Sequence, residues 1–152
     1  MKYVLDGYNV IGASDHIQLS DTHKEDRFTD WLKKYQSKGM YIIIIFDGQA
    51  SALDYPTKER MPGITKITTG RSRSADQYIK EIFLTKKDTS GMVIVTSDND
   101  ILYHAKKAKV TTMTSTQFLD HISRRGVQTF EKKTPPVTDA DVDYWLGEFD
   151  ND

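Results

Sequence analysis

Three apolar runs in this sequence each end in an aspartate, and these acids are the residues best suited to chemistry. The runs and their acids are KYVLD (2–6) with Asp6, MYIIIIFD (40–47) with Asp47, and GMVIVTSD (91–98) with Asp98. Continuous β-branched runs are typical of strands in a parallel sheet that is covered on both faces. The carboxyl ends of such strands lie along one edge, so these carboxylates are expected to converge there, together with Asp100.

Asp76 and Asn9 extend the cluster. Asp76 lies in the first turn of a predicted helix whose N-cap, Ser74, faces the same edge. Gly7 permits a tight turn after Asp6, which would direct the Asn9 amide to the edge, where it can donate to a phosphate or hold a carboxylate. Each residue also has a plain structural interpretation, because aspartate and asparagine cap helices and the FDG sequence suits a turn.

Carboxylates gathered at one edge repel one another, and a divalent cation relieves that repulsion. Oxygen ligands favour Mg²⁺ or Mn²⁺. Such an ion lowers the pKa of a bound water, orients it and neutralises phosphate oxygens, so phosphodiester hydrolysis would need no side-chain nucleophile. The four histidines show no spacing that suits an acid and base pair. The candidate metal ligands are Asp6, Asp47, Asp76, Asp98 and Asp100.

Strands and helices alternate along the chain. ITKITT (64–69) and KVTTM (109–113) predict two weaker strands, and helices are predicted over 21–39, 74–87, 99–108 and 115–126. The last helix is expected to be capped by Ser115 and to end at Gly126. Alternation of this kind predicts an α/β fold with a doubly wound, mostly parallel sheet. A domain over 1–133 is expected, followed by an acidic tail over 134–152 that contains a short amphipathic helix.

Composition limits the partners and the compartment. The chain has 152 residues, no cysteine and a formal net charge of −1. It shows no signal peptide and no apolar stretch long enough to cross a bilayer, so a cytoplasmic protein without a membrane partner is expected. Residues 139–152 carry six acidic side chains and none of the 21 Lys and Arg residues. The body is therefore basic, which suits RNA as a partner.

Five residues are candidates for holding RNA. Arg71 and Arg73 precede the helix that carries Asp76, where guanidinium groups and the helix N-terminus can grip a phosphate. Lys58 and Arg60, in the polar segment after Asp47 that is predicted to be a loop, can extend this track. Tyr8 can stack on a base, although burial explains it equally well.

Four motifs occur in the order of a known family. DGYNVI (6–11), FDG (46–48), SADQYI (74–79) and VTSDNDI (95–101) together resemble the NYN domains of the PIN-like nuclease superfamily, in the YacP-like branch. The resemblance implies a PIN-like three-layer sandwich, with a central mostly parallel sheet and helices on both faces. It also implies a metal-dependent endoribonuclease. Some relatives in that branch are thought to cut messenger RNA in association with the ribosome.

By motif position, the resemblance makes Asp6, Asp76 and Asp98 the metal-site acids, with Asn9 as their companion and Asp100 as an additional acid. The chain departs from the family pattern at Arg73, where YacP-like chains often carry an acidic residue, and this lowers the negative charge of the site. Three alternatives stay open. They are a non-catalytic RNA- or ribosome-binding module on the same fold, a Toprim-like site built on SDND, and a toxin of PIN type.

Overall fold

The structure is a computed structural model that describes residues 1–49 and 52–131. These residues form six strands: β1 (Lys2–Asp6), β2 (Tyr41–Phe46), β3 (Thr57–Met61), β4 (Ile64–Thr68), β5 (Met92–Val95) and β6 (Thr111–Met113). They also form five helices: α1 (Gly7–Ala13), α2 (Lys24–Tyr35), α3 (Ala75–Thr85), α4 (Asn99–Lys107) and α5 (Ser115–Glu131). None of these helices is long and apolar enough to cross a membrane. The predicted domain boundary at 133 and the predicted tail helix lie outside the described residues.

The central strand of the sheet is β1. The strand order is β3-β4-β2-β1-β5-β6, and within this described sheet only β3 runs antiparallel to its neighbour. Asp6 on β1 lies beside Ile45 on β2, and Leu5 lies beside Val95 on β5. The chain passes from β1 to β2 and β4, then crosses to β5 on the other side. The crevice between β1 and β5 is therefore the switch point at which open α/β sheets bind ligands.

Helices cover both faces of the sheet. On one face, Tyr3 and Leu5 of β1 pack with Phe28 of α2 and Phe118 of α5. The other face carries α3 and α4, whose Ile79 and Ile101 pack in a separate cluster. Burial of each large apolar side chain stabilises the fold by about 1.5–3 kcal/mol. The predicted three-layer α/β sandwich is confirmed.

The segment after Asp6 is a helix, so the predicted tight turn at Gly7 is wrong. α1 begins at Gly7 and buries Val10 and Ile11. Gly7 is required there for space, because a Cβ at this position would lie 2.5 Å from the Phe46 ring and 2.9 Å from the Ile45 carbonyl oxygen. The glycine thus lets the first turn of α1 pack directly on β2.

Replacing Gly7 by Ala is expected to lower the free energy of unfolding by about 1–3 kcal/mol, the usual effect of overpacking a close contact. Urea denaturation followed by circular dichroism measures the change. Gly39→Ala is not a suitable control, because Gly39 has a φ of +88°. Gly12→Ala is the matched control, since a Cβ there meets only the exposed Leu19 side chain, whose nearest atom, Cδ1, is 3.3 Å away. Equal stability of the Gly7 variant and the native chain would contradict the packing argument.

The segment that contains Lys58 and Arg60 is an edge strand, so its prediction as a polar loop is wrong. β3 pairs antiparallel with β4, with Lys58 beside Ile67 and Arg60 beside Thr65. The two basic side chains therefore lie on a sheet surface. Their path runs away from the carboxyl edge of β4, because Thr57 pairs with Thr68 at that edge and the later residues of β3 lie farther from it.

The predicted ends of α5 also differ from the structure. The side chain of Thr114 accepts a hydrogen bond from the Gln117 backbone N–H at 3.1 Å, so Thr114 caps the helix in place of Ser115. The helix runs past Gly126 to Glu131. A single glycine costs a helix only about 1 kcal/mol relative to alanine, which is too little to end one that continues on both sides.

Candidate active site

Asp6 is the centre of the candidate site. It ends β1 partly buried, and its Oδ2 accepts a hydrogen bond of 3.0 Å from the Thr96 hydroxyl. The pKa of Asp6 is raised to about 6, chiefly by burial; the Thr96 hydrogen bond lowers it in part, and the neighbouring carboxylates of Asp98, Asp76 and Asp47 contribute to the rise. All three of these predicted site acids are thus close enough to act on the Asp6 charge.

Asp98 is held rigidly at the start of α4. Its Oδ1 accepts hydrogen bonds from the backbone N–H groups of Asp100 at 2.8 Å and Ile101 at 3.4 Å, so it is the helix N-cap. Its own backbone N–H donates to the Thr96 hydroxyl at 3.1 Å. Thr96 thereby links Asp6 to Asp98. Asp98 can therefore serve both as the helix cap and as a site acid, because the cap uses only Oδ1 and leaves Oδ2 for a ligand.

A lysine bridges the other two acids. The Lys80 ammonium lies 3.1 Å from Asp76 Oδ1 and donates a hydrogen bond to Asp100 Oδ2. The bond to Asp100 raises the pKa of Lys80 and lowers the pKa of Asp100. His104 Nε2 also approaches Asp100 Oδ1, at 3.4 Å. The acid cluster therefore contains a cation of its own.

Asn9 connects three parts of the chain. Its Oδ1 accepts a hydrogen bond from the Ser97 backbone N–H at 2.8 Å and another from the Ser115 hydroxyl at 2.6 Å. These bonds join α1 to the segment before Asp98 and to the start of α5. With the oxygen engaged, the Asn9 NH₂ group has no hydrogen-bond partner among residues 1–49 and 52–131. It is available to donate to a phosphate.

Asn9→Ala is expected to lower the free energy of unfolding by about 2–3 kcal/mol, because two hydrogen bonds are lost and the buried Ser115 hydroxyl loses its acceptor. Thermal unfolding of the two chains measures this. Ser115→Ala, which removes only one of the bonds, is expected to cost less. If Asn9→Ala unfolds at the native temperature, the bridging role is wrong.

The fifth predicted acid, Asp47, lies at the rim of the site. It is exposed, and its Oδ1 accepts a hydrogen bond from the Gln49 backbone N–H at 2.9 Å, as in an ordinary turn. The next residue is fixed more firmly, since Gly48 N–H donates to the buried Thr69 hydroxyl at 2.8 Å. Asp47 thus acts on Asp6 through its charge, and of the three carboxylates it raises the pKa of Asp6 the least.

Three of the five predicted RNA-binding residues already have protein partners. Arg71 pairs with Asp54 at 2.6 Å, and Arg73 pairs with Glu81. Tyr8 is half-buried, with its hydroxyl donating to Glu25 at 2.9 Å and its ring 5.0 Å from that of Phe46. The remaining two, Lys58 and Arg60 on β3, make no ion pair with a residue that the structure describes.

The acids fit a divalent cation in type, and their present arrangement does not preform its ligand shell. Within residues 1–49 and 52–131, no three Asp, Glu or His side chains are close enough to form a metal site. Two observations nevertheless favour a cation. Asp76 Oδ1 is buried and makes no hydrogen bond of good geometry, although Lys80 is at ion-pair distance. The pKa of Asp6 is raised partly by carboxylates that a cation would neutralise.

One family model matches this chain. The model of the YacP-like NYN domain matches residues 3–141, which is nearly the whole chain. The chain belongs to the YacP-like NYN family. Its acids at the β1 and β5 ends thus occur on a fold of the nuclease type.

Solved structures agree with membership of the NYN family. One crystal structure of Rae1 (YacP) from Bacillus subtilis, a single-substitution variant, has a TM-score of 0.70 and 18% identity, over 95% of this chain and 90% of that one. A second Rae1 structure has a TM-score of 0.62 and 20% identity, over 98% and 92% of the two chains. At such identities the likeness shows the fold. A comparison with curated proteins finds no match.

Sequence reasoning did not assign to the site three residues that organise it, although it did single out Ser115 as a helix cap. Thr96 and Ser115 are polar residues with no exposed surface, and burial of a hydroxyl indicates a specific hydrogen bond. Thr96 follows directly on the apolar run of β5, which was the available clue. Lys80 carries a weaker clue, since it lies four residues after Asp76 on the same helix face.

Proposed function

We propose that this protein is a metal-dependent endoribonuclease that hydrolyses RNA phosphodiester bonds with Mg²⁺ or Mn²⁺. The observation that carries the proposal is the convergence of carboxylate charge on Asp6 at the switch point of the sheet. The nuclease-type fold of the YacP-like NYN family supports it. A carboxylate cluster of this kind can bind a divalent cation, and the cation can in turn bind a phosphate.

The five acids have two different roles in this proposal. Asp6, Asp76 and Asp98 would hold the ion, with Asp100 and Asp47 adding negative charge around it. When bound, the ion supplies an activated water and neutralises charge on the phosphate. Thr96 keeps the Asp6 carboxylate oriented, and the N-cap bonds do the same for Asp98.

Asn9 and Lys80 are the donors of the site. The Asn9 NH₂ group is positioned by the two bonds to its Oδ1, so it can donate to a non-bridging phosphate oxygen at little entropic cost. The Lys80 ammonium offsets part of the negative charge of Asp76 and Asp100 before substrate arrives. When RNA binds, the Lys80 ammonium can give up its contacts to those acids and contact a phosphate group in their place.

The partners follow from the family resemblance. We propose that the substrate is RNA, in particular messenger RNA, and that the protein meets it on the ribosome in the cytoplasm. Cosedimentation of the full chain with purified ribosomes in Mg²⁺ buffer tests the last part. Recovery of the protein only in the supernatant would limit the proposal to free RNA.

A labelled RNA incubated with the full chain and either Mn²⁺ or EDTA tests the activity. Cleavage is expected only with the metal, at internal positions, and Asp6→Asn is expected to slow it on the order of 10³-fold. A lack of metal-dependent cleavage under conditions where the protein binds the RNA would contradict the proposal.

One observation favours the alternative of an RNA- or ribosome-binding module without activity. The Lys80 ammonium already contacts two of the acids, so part of the carboxylate repulsion is offset without a metal ion. In that case native and Asp6→Asn chains would bind RNA equally well and leave it equally intact. The cleavage assay therefore decides between the two functions.

A further inference from the structure

A concave surface lies on the sheet away from the acids. Its volume is about 400 Å³, and every residue that lines it belongs to a strand. Ile43 and Ile67 contribute apolar surface, and both belong to the cluster on the face that carries α3 and α4. Tyr41 lines it as well, with its hydroxyl bonded to the Thr65 side chain. We refer to this surface as the sheet groove.

Alternation along β3 gives the sheet groove its charge. Lys58 and Arg60 line it, two residues apart and hence on the same face of the strand. Glu59 between them pairs instead with Lys66 at 3.3 Å, and Lys66 also contacts Asp26 of α2, on the other face of the sheet. Basic side chains are thus directed to one face and the acid to the other.

Two more lysines stand at the far end of the sheet groove. Lys2 lines it, with its Nζ 6.0 Å from the centre of the Tyr41 ring. Lys86 follows α3 and lies beside Lys2, and burial together with the Lys2 charge lowers the pKa of Lys86. In the part of the chain that the structure describes, no carboxylate pairs with either lysine.

We propose that the sheet groove binds the phosphate backbone of the single-stranded RNA that continues beyond the cleavage site. This inference rests on the proposed function, because it assumes that RNA is the substrate. Four cations that make no ion pair with a described carboxylate are complementary to a polyanion; they are Lys2, Lys58, Arg60 and Lys86. Cations beside an aromatic ring suit a single strand, whose phosphates and bases they contact in turn.

The position of the sheet groove favours RNA over an acidic peptide. α3 has Asp76 in its first turn and is followed by Lys86, so its eleven residues, about 16 Å, separate the acid cluster from the far lysines. β3 spans the same direction on the other side, beginning at the carboxyl edge with Thr57. A single strand of RNA bound at the acids would have to run alongside α3 over this distance to reach the sheet groove. The acids themselves repel RNA, so its affinity must come from cations placed elsewhere.

Fluorescence anisotropy with a labelled single-stranded RNA of about 12 nucleotides, within the usual site size of single-strand binders, tests the inference. The measurement uses the full chain carrying Asp6→Asn, so that the RNA stays intact, over a series of salt concentrations. The groove variant is Lys58→Glu with Arg60→Glu. The matched control, Lys33→Glu with Lys34→Glu, makes the same charge change on exposed residues of α2, on the opposite face of the sheet.

The groove variant is expected to bind about 10-fold more weakly, and its salt slope to fall by about 1.4, or about 0.7 for each lost phosphate contact. The control is expected to retain affinity. Equal loss in both variants, or no loss in the groove variant, overturns the inference. So does binding of the peptide of residues 139–152 to the native groove with no binding of RNA. If the native chain cuts RNA while the groove variant binds it normally, only this inference fails; if the native chain neither binds nor cuts RNA, the proposed function fails with it.

Discussion

Asp6→Asn is expected to lower the rate of RNA cleavage on the order of 10³-fold, the loss found when one group that stabilises a transition state is removed. Asp6 is the acid on which the other carboxylates act, so no neighbour can take its place. The Asn side chain retains an oxygen for the Thr96 hydrogen bond, so the fold should be preserved. Rates at saturating Mn²⁺ measure the effect.

The same substitution is expected to stabilise the metal-free protein. The pKa of Asp6 rises from 3.8 to about 6 on folding, so the folded chain holds this proton more tightly than the unfolded chain. The stability from this group is fully present below about pH 3.8 and is lost as the pH rises through about 6. Above pH 6 the ionised carboxylate costs about 2–3 kcal/mol, which Asn avoids.

Thermal unfolding in EDTA checks this at two pH values. At pH 7.5 the Asp6→Asn chain is expected to unfold several degrees above the native chain, whereas near pH 4 the two should nearly coincide. Asp47→Asn, at the exposed rim, is the control and should shift the native midpoint much less. A lower midpoint for Asp6→Asn at pH 7.5 would show that the acids do not strain the fold.

Lys80→Met is expected to tighten the binding of Mn²⁺ on the order of 10- to 100-fold. The Lys80 ammonium bridges Asp76 and Asp100. It would repel a divalent ion bound to the same acids and compete with it for their oxygens. Methionine keeps most of the length of the side chain without its charge. Isothermal titration calorimetry with Mn²⁺ and no RNA measures affinity and stoichiometry independently of activity.

The matched control is Lys87→Met, which removes one charge from an exposed lysine beyond the other end of α3. It should leave the Mn²⁺ affinity near that of the native chain. If Lys80→Met also binds Mn²⁺ with native affinity, then the lysine does not compete with the metal. A second bound ion in the Lys80 variant would mean that the ammonium occupies a cation position in the native site.

The strands that carry the acids could be predicted because their β-branched residues favour a strand locally and also suit the buried positions that these strands occupy in the sheet. All four residues of β5 are buried, and β2 is buried along most of its length, so β-branched runs were needed at these positions. The aspartates at their ends then had to meet at one edge of a parallel sheet. What the strand pattern could not supply was the order of the strands, which depends on long-range packing.

The first helix could not be predicted because its sequence opposes it. GYNVIGA contains two glycines and two β-branched residues, all of which lower helix propensity. The helix forms because Val10 and Ile11 are buried against the sheet and the Gly7 backbone lies against Phe46. Tertiary contacts override the local preference, and for this reason the predicted tight turn at Gly7 is wrong.

The edge strand and the bridging lysine were missed for a similar reason. Four of the five residues of β3 are exposed, so its sequence, TKERM, carries no apolar alternation, and the strand forms through backbone pairing with β4. Asp76 and Lys80 have the spacing of an ordinary ion pair on a solvated helix surface. The second partner, Asp100, comes from another helix, and only the folded structure brings it there.

The hydrogen bonds that assemble the site join residues far apart along the chain. Thr96 and Asp6 are 90 residues apart, and Ser115 and Asn9 are 106 apart. Contacts of such separation form late in folding, because a long loop must close first. A nascent chain released before Ser115 is synthesised therefore cannot complete the cluster. On the proposed function, products of this protein that end before α5 are expected not to cut RNA.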